Sequence, residues 1–151
     1  MGNIFNDDFR DFLTQLNLHD VEYVLVGGYS VILHGYSRTT GDMDVLVNKT
    51  RENYQKLIKA FNSFGMPTFD MTEENFLNNS QMDVFSFGRS PVAIDIMTNI
   101  KGASFQDIAE EAILCETDGI TIKTISISKL IQVKKASGRH KDLDDIEKLS
   151  N

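Results

Sequence analysis

The stretch VLVGGYSVILHGYSRTTGDMDVLV, Val24–Val47, decides how the rest of the chain is read. Its apolar ends look like buried strands. The first runs into Gly27-Gly28, and the second is headed by Asp42 and Asp44. A carboxylate withdrawn from water is costly unless something pairs with it. The two aspartates therefore either cap a turn or hold a cation. Between the strands, YSVILHG reads as a short helix packed beneath the first of them.

Outward from this stretch, strand and helix signals alternate. NDDFRDFLTQLNL, with Phe5 just before it, brings Phe5, Phe9, Phe12, Leu13 and Leu16 to helical spacing, with Asn6 as cap. Residues 50–64 form an amphipathic pattern with Tyr54, Leu57, Ile58, Phe61 and Phe64 on one side. MDVFSFG and PVAIDIMT are strands joined through GRSP as a hairpin, and SFQDIAEEA is a short helix. ILCETDGITIKTI predicts a second hairpin about Asp118-Gly119, a pair that tolerates positive φ. SISKLIQVKKASG is a helix with a serine cap that stops at Gly138, and KDLDDIEKL is a last helix. Two tight hairpins exclude a purely parallel sheet. The expected fold class is α/β (α+β), a mixed sheet with flanking helices and helices at the C-terminal end. No repeat, low-complexity tract or linker interrupts the pattern, so residues 1–151 are expected to form one domain.

Composition bounds the function. The apolar share of 41% and charged share of 25% are those of a globular, water-facing protein. One cysteine, Cys115, cannot make an internal disulfide, and MGNIFNDDFR lacks the basic start and apolar centre of a secretion signal. With no apolar run of membrane-spanning length, these features predict a cytoplasmic protein without a membrane partner. The net charge of −7 argues against coating nucleic acid by bulk electrostatics. Lys123–Asn151 nevertheless holds seven Lys/Arg against four Asp/Glu, a basic segment on an acidic body. Such a segment is either a polyphosphate contact or a solvated helix face.

Residues two apart on a strand share a face, so Asp42 and Asp44 are expected to project together and repel. A third acid, Asp95, sits in VAIDIMT on the face opposite Val92, Ile94 and Ile96. Three carboxylates on neighbouring strands could bind two Mg²⁺, the arrangement that clamps attacking and leaving oxygens in phosphoryl transfer. Gly27 and Gly28 would let the backbone approach a phosphate, and a helix beginning near Ser30 would direct free N–H groups at it. Each element alone has an ordinary structural explanation, whereas their order and spacing together are specific.

GGYSVILHGYSRTTGDMDVLV followed by VAIDIMT resembles the nucleotidyltransferase superfamily that includes DNA polymerase beta. Within it, the chain is similar to a small bacterial group related to abortive-infection toxin nucleotidyltransferases. That group shares the HGY-R-T-DxD spacing and a C-terminal element that reads LIQVKKASGRHKDLDDI here. Lincosamide and aminoglycoside nucleotidyltransferases are more distant relatives with a similar start. One departure is that Tyr29 stands between the glycine turn and the hydroxyl of Ser30. The resemblance implies a nucleotidyltransferase fold and transfer of a nucleoside monophosphate from a nucleoside triphosphate to an acceptor hydroxyl, with pyrophosphate released. It implies Asp42, Asp44 and Asp95 as ligands of two Mg²⁺ or Mn²⁺ ions, with Asp44 bridging them and Asp95 assisting deprotonation. Gly27, Gly28 and Ser30 would cradle the phosphates, and Arg38 and Lys134 would reach the triphosphate.

The alternatives are a nucleotide-binding or antitoxin-like regulatory module without turnover, and an interaction protein in which the acids are caps. The implied acceptor is RNA such as tRNA, another protein, or a small molecule. A second copy or a partner chain is expected to complete the acceptor site. For individual residues, Arg38 could pair with an acid. Lys134 could be an exposed helix lysine, and Arg139, Lys141, Asp142 and Asp145 could form salt bridges that dock the last helix.

Overall fold

A computed structural model describes residues 5–37, 40–88 and 93–150. Arg38, singled out above as a phosphate contact, lies outside the described residues, as do residues 89–92, which include Val92 and all of the GRSP connection but Gly88. In chain order the elements are α1 (Asp7–Leu18), β1 (Tyr23–Val26), α2 (Gly27–Leu33), β2 (Met43–Val47), α3 (Arg51–Phe64) and α4 (Glu73–Asn78). They continue with β3 (Val84–Phe87), β4 (Ile94–Met97), α5 (Phe105–Glu110), β5 (Ile113–Thr117), β6 (Ile120–Thr124), α6 (Ile127–Ser137) and α7 (His140–Leu149). The six strands form one mixed sheet in the order β3-β4-β2-β1-β6-β5. β2 runs parallel to β4 and β1 parallel to β6, while the remaining neighbours are antiparallel.

Helix boundaries follow local chemistry. The side chains of Asn6, Thr50, Ser104 and Ser126 each accept a hydrogen bond from the backbone N–H three residues on, opening α1, α3, α5 and α6. α6 closes at Gly138, whose φ of 66° is left-handed. The β5–β6 turn places Asp118 and Gly119 at φ 54° and 79°, the hairpin geometry expected of Asp-Gly. α4 is absent from the pattern read in the sequence. It is a six-residue helix capped by Thr72 that buries only Phe76, too short to show a period.

The sheet is covered on both faces. On one, Phe9, Phe12 and Leu16 of α1, Leu57 and Phe61 of α3, and Phe76 of α4 pack against Leu25, Val45 and Ile96. On the other, Ile108, Leu130, Val133 and Leu149 from α5, α6 and α7 pack against Val24, Val26 and Leu46. Alternate residues of β1 thus serve different cores, which is why all four are buried and the run is continuously apolar. The same alternation sends Asp44 and Asp95 to the face of α6 and α7, since Val45 and Ile96 belong to the first core. Among the described residues no helix is long and apolar enough to cross a membrane.

Candidate active site

Register brings the acids together. Asp44 of β2 and Asp95 of β4 are direct cross-strand partners, and on its other side Asp44 faces Val26, the last residue of β1. β2 starts at Met43, so Asp42 precedes the strand and does not share a strand face with Asp44 as expected. Its negative charge still bears on both Asp44 and Tyr29.

The electrostatics of Asp44 are unfavourable without a counter-charge. Burial pushes its carboxyl up to about 6, and the charge of Asp95, a hydrogen bond shared with Asp95, and the charge of Asp42 push in the same direction; Lys141 opposes them. Two carboxylates close enough to share a proton, with a third charge beside them, form a hard oxygen donor set of the kind a divalent cation neutralises. Among the described residues no three acid, histidine or cysteine side chains stand together as a complete ligand set. The Asp44–Asp95 pair is therefore the nucleus of the candidate site, with the charge of Asp42 acting on Asp44.

Gly27 makes room for this pair. Its φ is 73°, and a Cβ there would collide with Oδ2 of Asp44. Both the left-handed backbone and the close approach require glycine. Gly27→Ala is accordingly expected to destabilise the fold by about 1–3 kcal/mol through backbone strain and to displace the Asp44 carboxylate. Thermal unfolding and divalent-cation titration of the variant check this, and a variant that melts and binds cation like the parent would contradict it.

A cavity of about 290 Å³ opens beside Asp44, lined by Gly27 and Asp44 on the sheet side and by Val133, Lys134, Ser137 and Arg139 on the α6–α7 side; Asp95 does not line it. Lys134 is buried, and its Nζ lies 2.9 Å from Asp145 Oδ2 and 3.4 Å from Asp142 Oδ1. The reading of an exposed helix lysine is thereby corrected: α7 covers Lys134 and meets it with Asp142 and Asp145. Arg139 holds Asp142 through Nε at 2.7 Å and Nη2 at 3.3 Å while remaining largely exposed. The hydrogen bond to Asp142 raises the Arg139 pKa, and the negative charge of Asp44 adds to that shift. Lys134 thus docks α7 onto α6 through Asp142 and Asp145, Arg139 pairs with Asp142 at the start of α7 itself, and the charge of Lys141, also expected among these salt bridges, acts on Asp44.

The remaining predicted phosphate contacts are placed differently from the acids. α2 begins at Gly27 rather than near Ser30. Gly28 and Ser30 are buried and do not line the cavity, and the Ser30 hydroxyl donates to the Gly27 carbonyl. Tyr29 stacks on Phe5 and meets Phe9 edge-on, so its ring packs in the first core. His34, at the end of α2, has its Nε2 2.7 Å from the Ile125 carbonyl oxygen, a structural contact. One site neighbour escaped sequence reasoning: Ser86, the cross-strand partner of Asp95 on β3, donates its hydroxyl to Asp95 Oδ1 at 2.7 Å. Only the register of the β3–β4 hairpin reveals it.

Residues 7–150 match a family described as nucleotidyltransferase of unknown function (DUF6036). Among solved structures, the fold is similar to that of TM1012 from Thermotoga maritima, a nucleotidyltransferase by assignment. The TM-score is 0.64 at 18% identity, over 95% of this chain and 90% of that one. It is equally similar to the lincosamide antibiotic adenylyltransferase LnuA with lincomycin bound, at TM-score 0.64 and 18% identity over 99% of each chain. No curated protein sequence matches. At such identities the structural likeness is one of fold, whereas the family match spans nearly the whole chain. With its glycine turn and paired acids in place on that fold, the chain belongs to this nucleotidyltransferase family.

Proposed function

We propose that the protein transfers a nucleoside monophosphate from a nucleoside triphosphate to an acceptor hydroxyl and releases pyrophosphate. The observation that carries this reading is the Asp44–Asp95 cross-strand pair beside a glycine whose missing side chain leaves space for Asp44. Bound Mg²⁺ or Mn²⁺ ions would supply charge neutralisation for the triphosphate and lower the pKa of the attacking hydroxyl. Asp44 and Asp95, joined by Asp42, would hold them. Asp95 would also receive the proton from the acceptor hydroxyl. Gly27 keeps the cavity wall open to the phosphates, and Arg139 offers an exposed guanidinium at its rim, a group suited to phosphate oxygens. Arg38 and Lys134 are the further candidates for contact with the triphosphate, Lys134 only if it leaves its two aspartates.

The LnuA likeness makes a small-molecule hydroxyl one acceptor class beside RNA and protein. Incubation with each α-labelled triphosphate, Mg²⁺ or Mn²⁺ and a cell extract distinguishes them by which fraction acquires label. Label in no fraction, with no pyrophosphate released, would sink the enzyme reading. Triphosphate binding retained under those conditions would point instead to a nucleotide-binding module.

A further inference from the structure

Four residues stand in one row across the sheet. Val26 of β1 is the register partner of Asp44, Asp44 of Asp95, and Asp95 of Ser86. Neighbouring strands lie roughly 4.8 Å apart, so the row runs about 14 Å from the glycine turn to the β3 edge. The cavity with its cationic rim lies at the Val26 end. The Ser86 hydroxyl lies at the other end, beyond the carboxylate pair. An in-line displacement needs its nucleophile and leaving group on opposite sides of the phosphorus, and this row has that polarity.

We propose that Ser86 is itself an acceptor, so that the protein nucleotidylates its own β3 strand. The proposal rests on the transferase reading above and names one substrate for the same site. The Ser86 hydroxyl already donates to Asp95 Oδ1 at 2.7 Å, within the reach a general base requires. Ser86 is exposed on an edge strand, and its neighbours Phe85 and Phe87 are buried and anchor the strand. The hydroxyl is therefore presented from a fixed backbone rather than from a loop, which favours attack from a single direction. In the step, Ser86 Oγ forms a bond to the α-phosphorus and the bond from that phosphorus to the β-phosphate's bridging oxygen breaks. Pyrophosphate leaves, and the hydroxyl proton passes to Asp95. The product is a serine phosphodiester on β3, which fills the side from which any other acceptor would approach and so limits further turnover.

The test uses the full chain with each nucleoside triphosphate and Mg²⁺, then Mn²⁺, with no other acceptor. Intact-mass measurement and peptide mapping give the readout. The expected result is a gain of a single nucleoside monophosphate, located on Ser86, with pyrophosphate released in equal amount. The gain should vanish in Ser86→Ala, whose melting temperature should match the parent because the residue is exposed. It should also vanish in Asp95→Asn, whereas Ser86→Thr should retain part of it. An unmodified Ser86 in a protein that still labels an acceptor in cell extract would overturn the proposal and leave the transferase reading intact. Ser86 would then only orient Asp95. Failure to release pyrophosphate with any triphosphate, with or without extract, would remove both.

Discussion

Asp44→Asn is expected to give a protein that has lost transfer activity and gained stability. Both effects have one cause. Burial, then the neighbouring Asp95 and Asp42, push the Asp44 carboxyl from the ordinary carboxylate range up to about 6 against the opposing charge of Lys141. With the folded pKa above the unfolded one, the native state binds more protons between about pH 4 and 6, so stability falls as pH rises through that window. A shift of this size corresponds to about 3 kcal/mol lost by neutral pH in the absence of cation. Asparagine keeps the shape, removes the charge and can donate to Asp95. The variant should therefore melt higher than the parent at pH 7.5 and lose most of the parent's pH dependence between 4 and 6. Activity should drop roughly a thousandfold, a loss of about 4 kcal/mol of transition-state stabilisation, because a neutral amide is a poor ligand for a hard cation. Added Mg²⁺ should raise the melting temperature of the parent at pH 7.5 more than at pH 5, and should do little for the variant. A parent whose stability is flat across this pH range, or a variant less stable at neutral pH, would show that the acids are not in conflict.

The contrast between Asp44 and Lys134 shows what could be read from the chain alone. Phe9, Phe12, Leu13 and Leu16 recur at helical spacing and are all fully buried in α1, because an isolated amphipathic helix carries its own period. Asn6, Gly138 and Asp118-Gly119 are local signals acting within a few residues, and all three fall where their chemistry requires. The mixed sheet follows from the interleaved strands and the two hairpins. Its strand order does not, since the β1–β6 and β2–β4 pairings join distant segments. Asp44 and Asp95 were conspicuous because a charge inside an apolar strand has no local explanation. Lys134 was not, because a lysine on a helix is ordinary until another helix covers it. Ser86 was invisible for a similar reason: a serine on an alternating strand signals nothing until register sets it against Asp95. Ser30 shows the converse limit, since proximity to a glycine turn does not say which way a hydroxyl points.

Lys134→Met should be among the most destabilising single substitutions in the C-terminal half. The lysine side chain is 6% exposed, and its two partners, Asp142 and Asp145, are 1% and 3% exposed. Removing one member of a buried ionic cluster leaves charge without its counter-charge and costs about 3–5 kcal/mol. For a chain of this length that is a fall in melting temperature on the order of 10 °C. Arg139→Met should cost less, since Asp142 keeps Lys134 as its counter-charge and the Arg139 side chain is itself 62% exposed. The triple replacement of Lys134, Asp142 and Asp145 by apolar residues of similar volume should recover much of the loss, because the desolvation penalty of all three charges disappears together. The acid limb of the stability curve offers an independent check. Burial alone would raise the Asp142 carboxyl, but hydrogen bonds from Arg139 and Ser137 and the charge of Lys134 outweigh it and hold the group down to about 2. A depressed folded pKa contributes stability that is complete above the ordinary carboxylate range and fades as pH falls through about 2, here about 2 kcal/mol. In Lys134→Met that acid-sensitive portion should shrink, visible as a shallower loss of stability between pH 4 and 2. Should Lys134→Met instead melt within a degree of the parent and weaken only triphosphate binding, the lysine would serve the nucleotide rather than the fold. The docking of α7 would then rest on Leu149 and its apolar neighbours, with the hydrogen bond from Lys148 to the Ser37 carbonyl.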